Sequence, residues 1–497
     1  MDLAAPAGLS QRGDKNAAVV NGSLKNLLEI FRDQYDPKTN PSGIVIVGVA
    51  DNSLMRKEVL RWINSDRLKL QPAELTYGDR IFSSTRLVNA LCSLFNEVPM
   101  GLDTEKPKLI KQVVPDDIVV GSGATGILDA LFTVLCNPGD GVLLSVPSYN
   151  GFDHDLTARA EAKIIEVHTP LPEAYDPAHK PQQPSRAFTP DTVKAYEDAL
   201  AQARKDGVKV TSILVCNPHN PTGLVYPRET LVALAKLAAK ESLHLVVDEI
   251  YARSVFSSPD ISDADATRFH SILTVDVEKE ASLPRANVHV VSSISKDFGA
   301  NGFRLGVYVN QGGQDVVAAM SSLGILSQSS SPAGALWYLW LEDRAKGGFL
   351  PYFFAENHRR MTIAYRYLTQ WAQRQGIGYV AANSGHFVML DLRPYLGVKG
   401  GDDGDDAARK AETDLSQRFI DARVFVAPGA QYHHPQPGWF RFTFSLELGA
   451  VRVGLQRMEK VLGLESQTEA APDVERDAIP LPPSLQAVVN QDLGAER

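Results

Sequence analysis

The sequence predicts an α/β protein: a large domain on a mostly parallel sheet, followed by a smaller α+β domain. Three observations carry this. Short, continuous, β-branched apolar runs recur through the middle of the chain; helical stretches separate several of them; and after residue 350 the pattern changes to longer helices with few strands. A strand apolar at every residue is buried on both faces. That is the mark of a parallel sheet covered by helices, not of a half-solvated antiparallel one.

Taken in order, residues 1–22 are small and polar and are expected to be disordered; 23–75 form an N-terminal arm and part of the small domain. The large domain is expected over 76–345, with strands at "DIVVG" (117–121), "VLLSV" (142–146), "TSILVC" (211–216), "LHLVV" (243–247), "VHVVS" (288–292) and "LGVYV" (305–309). Helices are expected at 124–136, 191–205 and 228–241. A Pro-rich loop covers 170–190, a polar excursion 257–286, and an acidic Gly-rich loop 397–410. The small domain, 346–465, carries the helical "AENHRRMTIAYRYLTQWAQRQ" and "DAARKAETDLSQRFIDA" with the strands "FVMLDL" and "WFRFTFS". Residues 466–497 are expected to be a disordered tail, and no internal repeat is present.

At 497 residues the chain is too long for one core. A net charge of −9 with 22% charged residues argues against a nucleic-acid partner, which needs a clustered basic face. A small anionic ligand needs only local positive groups and stays open. Cys92, Cys136 and Cys216 lie far apart, with neither metal nor redox spacing, and read as buried small hydrophobes in a reducing compartment. There is no apolar run of membrane length and no signal-peptide core, so the expected place is the cytoplasm, with no membrane partner.

Ligands of open α/β sheets collect beyond the carboxyl ends of the strands, and four unusual segments sit there. "VVGSGATGILDALF" runs from strand to helix, so its glycines allow close approach and its amides face an anion; alone it reads equally as a tight turn. "CNPHNPTG" alone reads as turn chemistry. "VVDEIYA" puts Asp248 and Tyr251 at the end of a central strand, where an unpaired carboxylate is costly. "SSISKDFGANGFRLG" offers Lys296 among small hydroxylated residues and Arg304 eight positions on.

Together, in this order, the four resemble the class I aminotransferases, the fold-type I pyridoxal-phosphate enzymes, over roughly residues 40–460. "NPSGIVIVGVADNSL", "SYNGFDHDL" and "HHPQPGWFRFTFS" are most similar to the 1-aminocyclopropane-1-carboxylate (ACC) synthase branch. The resemblance implies pyridoxal 5′-phosphate as cofactor, an amino-acid substrate and a homodimer with a shared active site. It implies that Lys296 forms the covalent imine with the cofactor and moves the Cα proton, and that Asp248 pairs with the pyridine nitrogen. Asn220 and Tyr251 are implied to bond the phenolic oxygen and Tyr149 to stack on the ring. The phosphate is implied to lie behind Gly123 on the amides of Ala124 and Thr125, with Ser293 and Arg304, whose planar fork suits phosphate oxygens. Arg441 corresponds to the clamp for the substrate α-carboxylate, and Tyr77 to a tyrosine reaching the neighbouring subunit's phosphate. His433 and His434 are adjacent instead of spaced as metal ligands, and read as loop residues near the pocket mouth.

The match departs from ACC synthases at Asp51, where that branch carries glutamate, and in 78–87. The expected activity is therefore that of an aminotransferase-family enzyme acting on an L-amino acid or a derived intermediate, in specialised metabolism. ACC-synthase-like or C–S lyase chemistry is one alternative, and a non-catalytic binding or regulatory protein on the same fold is another.

Overall fold

The computed structural model describes residues 8–65, 69–77, 79–80, 83–175, 186–397, 404–483 and 485–486. Its thirteen strands, in chain order, are β1 (Val45–Ile46), β2 (Ile118–Ser122), β3 (Gly141–Val146), β4 (Lys163–His168), β5 (Val210–Cys216), β6 (His244–Asp248), β7 (Val288–Ser293), β8 (Leu305–Val309), β9 (Gly378–Tyr379), β10 (Phe387–Asp391), β11 (Val424–Phe425), β12 (Ala427–Pro428) and β13 (Trp439–Thr443).

Seven of them form one sheet in the order β2-β8-β7-β6-β5-β3-β4. All neighbours are parallel except β8, which is antiparallel to both β2 and β7. The continuous apolar runs explain themselves here. Val120, Leu143, Ile213, Leu245, Val290 and Val307 point into one core, while Val119, Leu144, Leu214, Val246, Val291 and Tyr308 point into another. Successive side chains leave a strand on opposite faces, so a sheet covered on both sides needs apolar residues at every position. All three cysteines are free and buried, as expected.

β4 was not anticipated. Its sequence, KIIEVH, is largely exposed, because it lies at the sheet edge with charged residues on its open side. The helices Gly123–Leu135, Val193–Lys205 and Arg228–Glu241 fall where expected.

The second unit is a four-stranded antiparallel sheet, β12-β13-β10-β9, packed on helices Phe349–Arg374 and Leu448–Leu462 around Trp371, Phe440 and Leu455. β1 pairs in parallel with β11, so the N-terminal arm joins the C-terminal region.

Two expectations of disorder are corrected. Residues Gln11–Asn21 form a helix capped by Ser10, whose hydroxyl accepts the Gly13 N–H at 3.1 Å. It buries no side chain and is held by Arg12 and Lys15 on Glu161, a polar tether that composition does not reveal. Residues 1–7 lie outside the described residues. The tail, as far as Gln486, is a strap laid over both units. Glu459 Oε1 accepts from Trp371, Gln375, the Gln467 N–H and Thr468; Arg359 donates to the carbonyls of Val474 and Arg476; and Leu485 is fully buried. Arg359 and Tyr367, which hold it at Val474, Arg476 and Glu469, lie about a hundred residues upstream, so local polarity misread it. Of the three loops named above, 176–185 and 398–403 lie outside the described residues, and 404–410 is already helical.

Candidate active site

The carboxyl ends of β2, β6 and β7 and the small-domain strand β13 bring most of the anticipated residues together. Asp248, the last residue of β6, is buried, and its carboxylate accepts one hydrogen bond, from the Ile250 N–H at 3.1 Å. No cation of the described residues pairs with it. Burial raises its pKa to about 7 against the opposing pull of that N–H and of the Lys296 charge. Lys296, half-buried just beyond β7, donates to the Ala50 carbonyl at 2.5 Å. Desolvation lowers its pKa to about 8, with Asp51 acting the other way. A buried acid and a half-buried amine are thus both drawn toward neutrality, the condition for proton exchange near pH 7.

Arg441, on β13, is buried between the rings of Tyr432 and Phe387, 4.5 and 4.8 Å from their centroids. Nη1 donates to Asn220 Oδ1 at 2.8 Å and Nη2 to the Gly48 carbonyl at 2.6 Å, while Nε is buried without a partner. Asn220 thus spends its oxygen on Arg441. Tyr251 is buried, its hydroxyl driven far above the ordinary tyrosine pKa by desolvation, and packs in edge contact with Phe387 at 5.5 Å. Tyr149, raised for the same reason, is in edge contact with Phe152 at 5.2 Å.

At the other end Gly123 has φ +75°, a conformation that favours glycine, and a Cβ there would stand 2.4 Å from Arg304 Nη2. Arg304, itself left-handed at φ 55°, is exposed and donates to the Asn301 carbonyl at 2.8 Å. Ala124 and Thr125 follow in the first turn of the helix, whose amides have no intrahelical acceptor. Ser293 ends β7, and its Oγ accepts the Ser295 N–H at 2.8 Å.

Of two further anticipated residues, Asp51 is near enough to Lys296 to act on its pKa, but its carboxylate is engaged by Arg56 (2.9 Å) and by Asn301 Nδ2 (3.1 Å). Tyr77 is 80% exposed and touches none of these groups within the chain. Residues 78, 81 and 82 of the divergent segment lie outside the described residues.

Reasoning from residues alone missed Asp155, Asn301, His386 and Tyr432. Asp155 lay inside the quoted "SYNGFDHDL": it is buried, with Oδ2 unpartnered, and burial raises its pKa to about 7. Tyr432 carried no signal beyond its neighbours His433 and His434. His433 bridges Asp153 at 2.9 Å and Glu166 at 3.0 Å, and its pKa rises through the Asp153 hydrogen bond. His434 is buried and lowered to about 4. Among the described residues no group of three His, Cys, Asp or Glu side chains is arranged so that it could hold a metal ion.

The donor set fits pyridoxal phosphate on these grounds. A buried carboxylate lacks a cation, an arginine lies against a glycine at a helix N-terminus, and a buried guanidinium keeps one donor open for a carboxylate.

Similarity to known proteins points the same way. The chain is 30% identical to "Probable aminotransferase aclI" of Aspergillus oryzae, covering 92% of this chain and 99% of that one. It is 32% identical to a 1-aminocyclopropane-1-carboxylate synthase of Glycine max, over 85% and 81% of the two chains. The fold matches a Thermus thermophilus aspartate aminotransferase double mutant with TM-score 0.60 at 21% identity, covering 92% of this chain and 100% of that one. The family model for aminotransferase class I and II matches residues 57–458, and the chain belongs to that family of pyridoxal-phosphate-dependent enzymes.

Proposed function

We propose that the protein is an aminotransferase that takes the amino group from an L-amino acid or a derived intermediate. The observation that carries the reading is the pairing of a cation-free buried Asp248 with a lysine whose pKa is brought down to about 8. When bound, the cofactor supplies an electron sink for the electrons left as Cα loses its proton. Asp248 would hold the ring nitrogen's proton, Asn220 and Tyr251 would bond the phenolic oxygen, and Tyr149 would lie against the ring. The amides of Ala124 and Thr125, the Ser293 hydroxyl and Arg304 would hold the phosphate. Arg441, with Nε open, holds the substrate α-carboxylate. Lys296 Nζ takes the Cα proton and returns it.

Asp51 favours this over ACC-synthase-like cyclisation or C–S lysis, since its carboxylate is already taken by Arg56 and Asn301. We infer also a homodimer, in which Tyr77 reaches the partner's phosphate. Leu75, Tyr77, Ile325 and Leu326 are left exposed on segments that flank one cleft, an apolar surface that a second copy would cover. A cytoplasmic place and a role in specialised metabolism belong to the same proposal. They are checked by locating a tagged chain and by metabolite profiling of a strain lacking it. No helix among the described residues is long and apolar enough to cross a membrane.

The test is incubation of the holoprotein with a panel of L-amino acids and a 2-oxo-acid acceptor, with products identified by mass. Matching 2-oxo and amino acids are expected. Ammonia with pyruvate or 2-oxobutyrate, or a cyclopropane product, would overturn transamination in favour of the other chemistries.

A further inference from the structure

Immediately after the lysine stands a carboxylate, Asp297, that no step of the proposed reaction uses. It is buried; Oδ1 accepts from Ser254 Oγ at 2.8 Å and Oδ2 from the Arg253 N–H at 3.0 Å. Ser254 Oγ also lies 3.0 Å from Nε2 of His386. Ser254 and Asp297 follow β6 and β7 of the large sheet, whereas His386 immediately precedes β10 of the small one. The line of hydrogen bonds therefore crosses the seam between the two units. A backbone bond from the Gly385 N–H to the Ser254 carbonyl (2.8 Å) crosses beside it.

The directions follow from proton counting. A serine hydroxyl has one hydrogen, here given to Asp297, so Oγ accepts from Nε2–H and Nδ1 is left as a bare acceptor. His386 is fully buried, and its Nδ1 has no partner among the described residues. A leucine would fill this space without leaving a buried acceptor unmet, so packing alone does not account for an imidazole here. The ring meets Tyr251 edge-on, with centroids 5.2 Å apart. The His386 carbonyl accepts the Phe444 N–H at 3.0 Å, and Phe387 pairs with Thr443, two residues from Arg441.

We propose that His386, acting through Ser254 and Asp297, is a positioning residue for Lys296, tying the lysine's segment to the small-domain sheet that carries the carboxylate clamp Arg441. The proposal rests on Lys296 being the lysine that binds the cofactor. It means that the seat of the substrate clamp and the placement of the lysine are set together.

The charged groups around this line determine the sign of its effect. Asp297 faces Arg253 and Asp248; Lys296 faces Asp51, Asp248, Arg441 and Arg304; His386 faces Lys296 and Arg441. His386 is driven well below its ordinary pKa by burial and then by those two cations, so it stays neutral. Asp297 is raised to about 7 by burial, against Arg253 and the Ser254 hydroxyl. Without that hydroxyl, or with Oγ freed from Nε2–H to turn its hydrogen away, the carboxylate next to Lys296 in the chain becomes neutral at a pH where it now carries charge, and the lysine–cofactor link would give up its proton more readily.

The test is a pH titration of the visible absorbance of the holoprotein, for wild type, Ser254→Ala, His386→Leu and His386→Gln, with thermal melts to show that each is folded. The midpoint is expected to fall by about half a pH unit or more in Ser254→Ala and His386→Leu. In His386→Gln, whose amide offers a donor where Nε2 lies, it should return to within about 0.2 of wild type. An unmoved or raised midpoint in either folded disruptive variant overturns the proposal, and so does His386→Gln behaving like His386→Leu. Wild-type protein with no visible band would refute the cofactor reading itself, whereas a band with unmoved midpoints refutes only the relay.

Discussion

Substituting Gly123 by alanine separates a phosphate cradle from a mere tight turn. At φ +75° an alanine costs about 1 kcal/mol of backbone strain, and its Cβ would sit 2.4 Å from Arg304 Nη2. An unstrained contact needs more than 3 Å, so the guanidinium must retreat by roughly an ångström, far enough to break a charge-assisted hydrogen bond. Such a bond contributes about 1.5–3 kcal/mol, so cofactor affinity should fall by about 10- to 150-fold. Apoprotein titrated with pyridoxal phosphate, followed by absorbance, reads this directly, and a melt without cofactor reads the strain alone. A lowered melting temperature with affinity unchanged within about twofold would refute Arg304 as a phosphate ligand and leave Gly123 a turn residue only.

Three further outcomes are expected. Arg360→Ala strands Glu58, buried and now 2.7 Å from the guanidinium, while Glu356, also 2.7 Å away, keeps Arg359; the change should cost about 3–5 kcal/mol in urea unfolding at pH 7. Less than about 1 kcal/mol would show the three charges not to be coupled. His433 has a folded pKa raised above its unfolded value of about 6.5, so its contribution is full below that pH and fades as pH rises through the folded value. The stability gap between wild type and His433→Ala should therefore be widest near pH 6 and narrow on the alkaline side; a gap that widens with pH would exclude the bridge to Asp153 and Glu166. Leu485→Ala removes a fully buried side chain from the strap and should cost about 2–4 kcal/mol, whereas a neutral result would mean the strap does not pack.

The loop proposed to hold the cofactor could be picked out because its parts are neighbours in the chain: Ser293, Lys296 and Arg304 fall on one strand end and the turn after it. The same holds for the central strands, whose unbroken apolar runs can only be satisfied between two layers of helix. Edge strand β4 and the tail were missed for the converse reason. Both are locally polar, and what holds them lies outside their own segments: β4 is laid along β3, and Arg359 holds the Val474 carbonyl of the tail across 115 positions.

By itself, then, the sequence determined the α/β class, the cofactor and the segments from which its site is proposed, since each is encoded in a short stretch with its own geometry. Only the tertiary structure decided that Arg441 meets Asn220 across 221 positions, that Asp51 is taken by Asn301 across 250, and that His386 meets Ser254 across 132. Such contacts follow from how two separately built sheets settle against each other. The direction of a side chain across that seam depends on the register of both, which no local composition expresses.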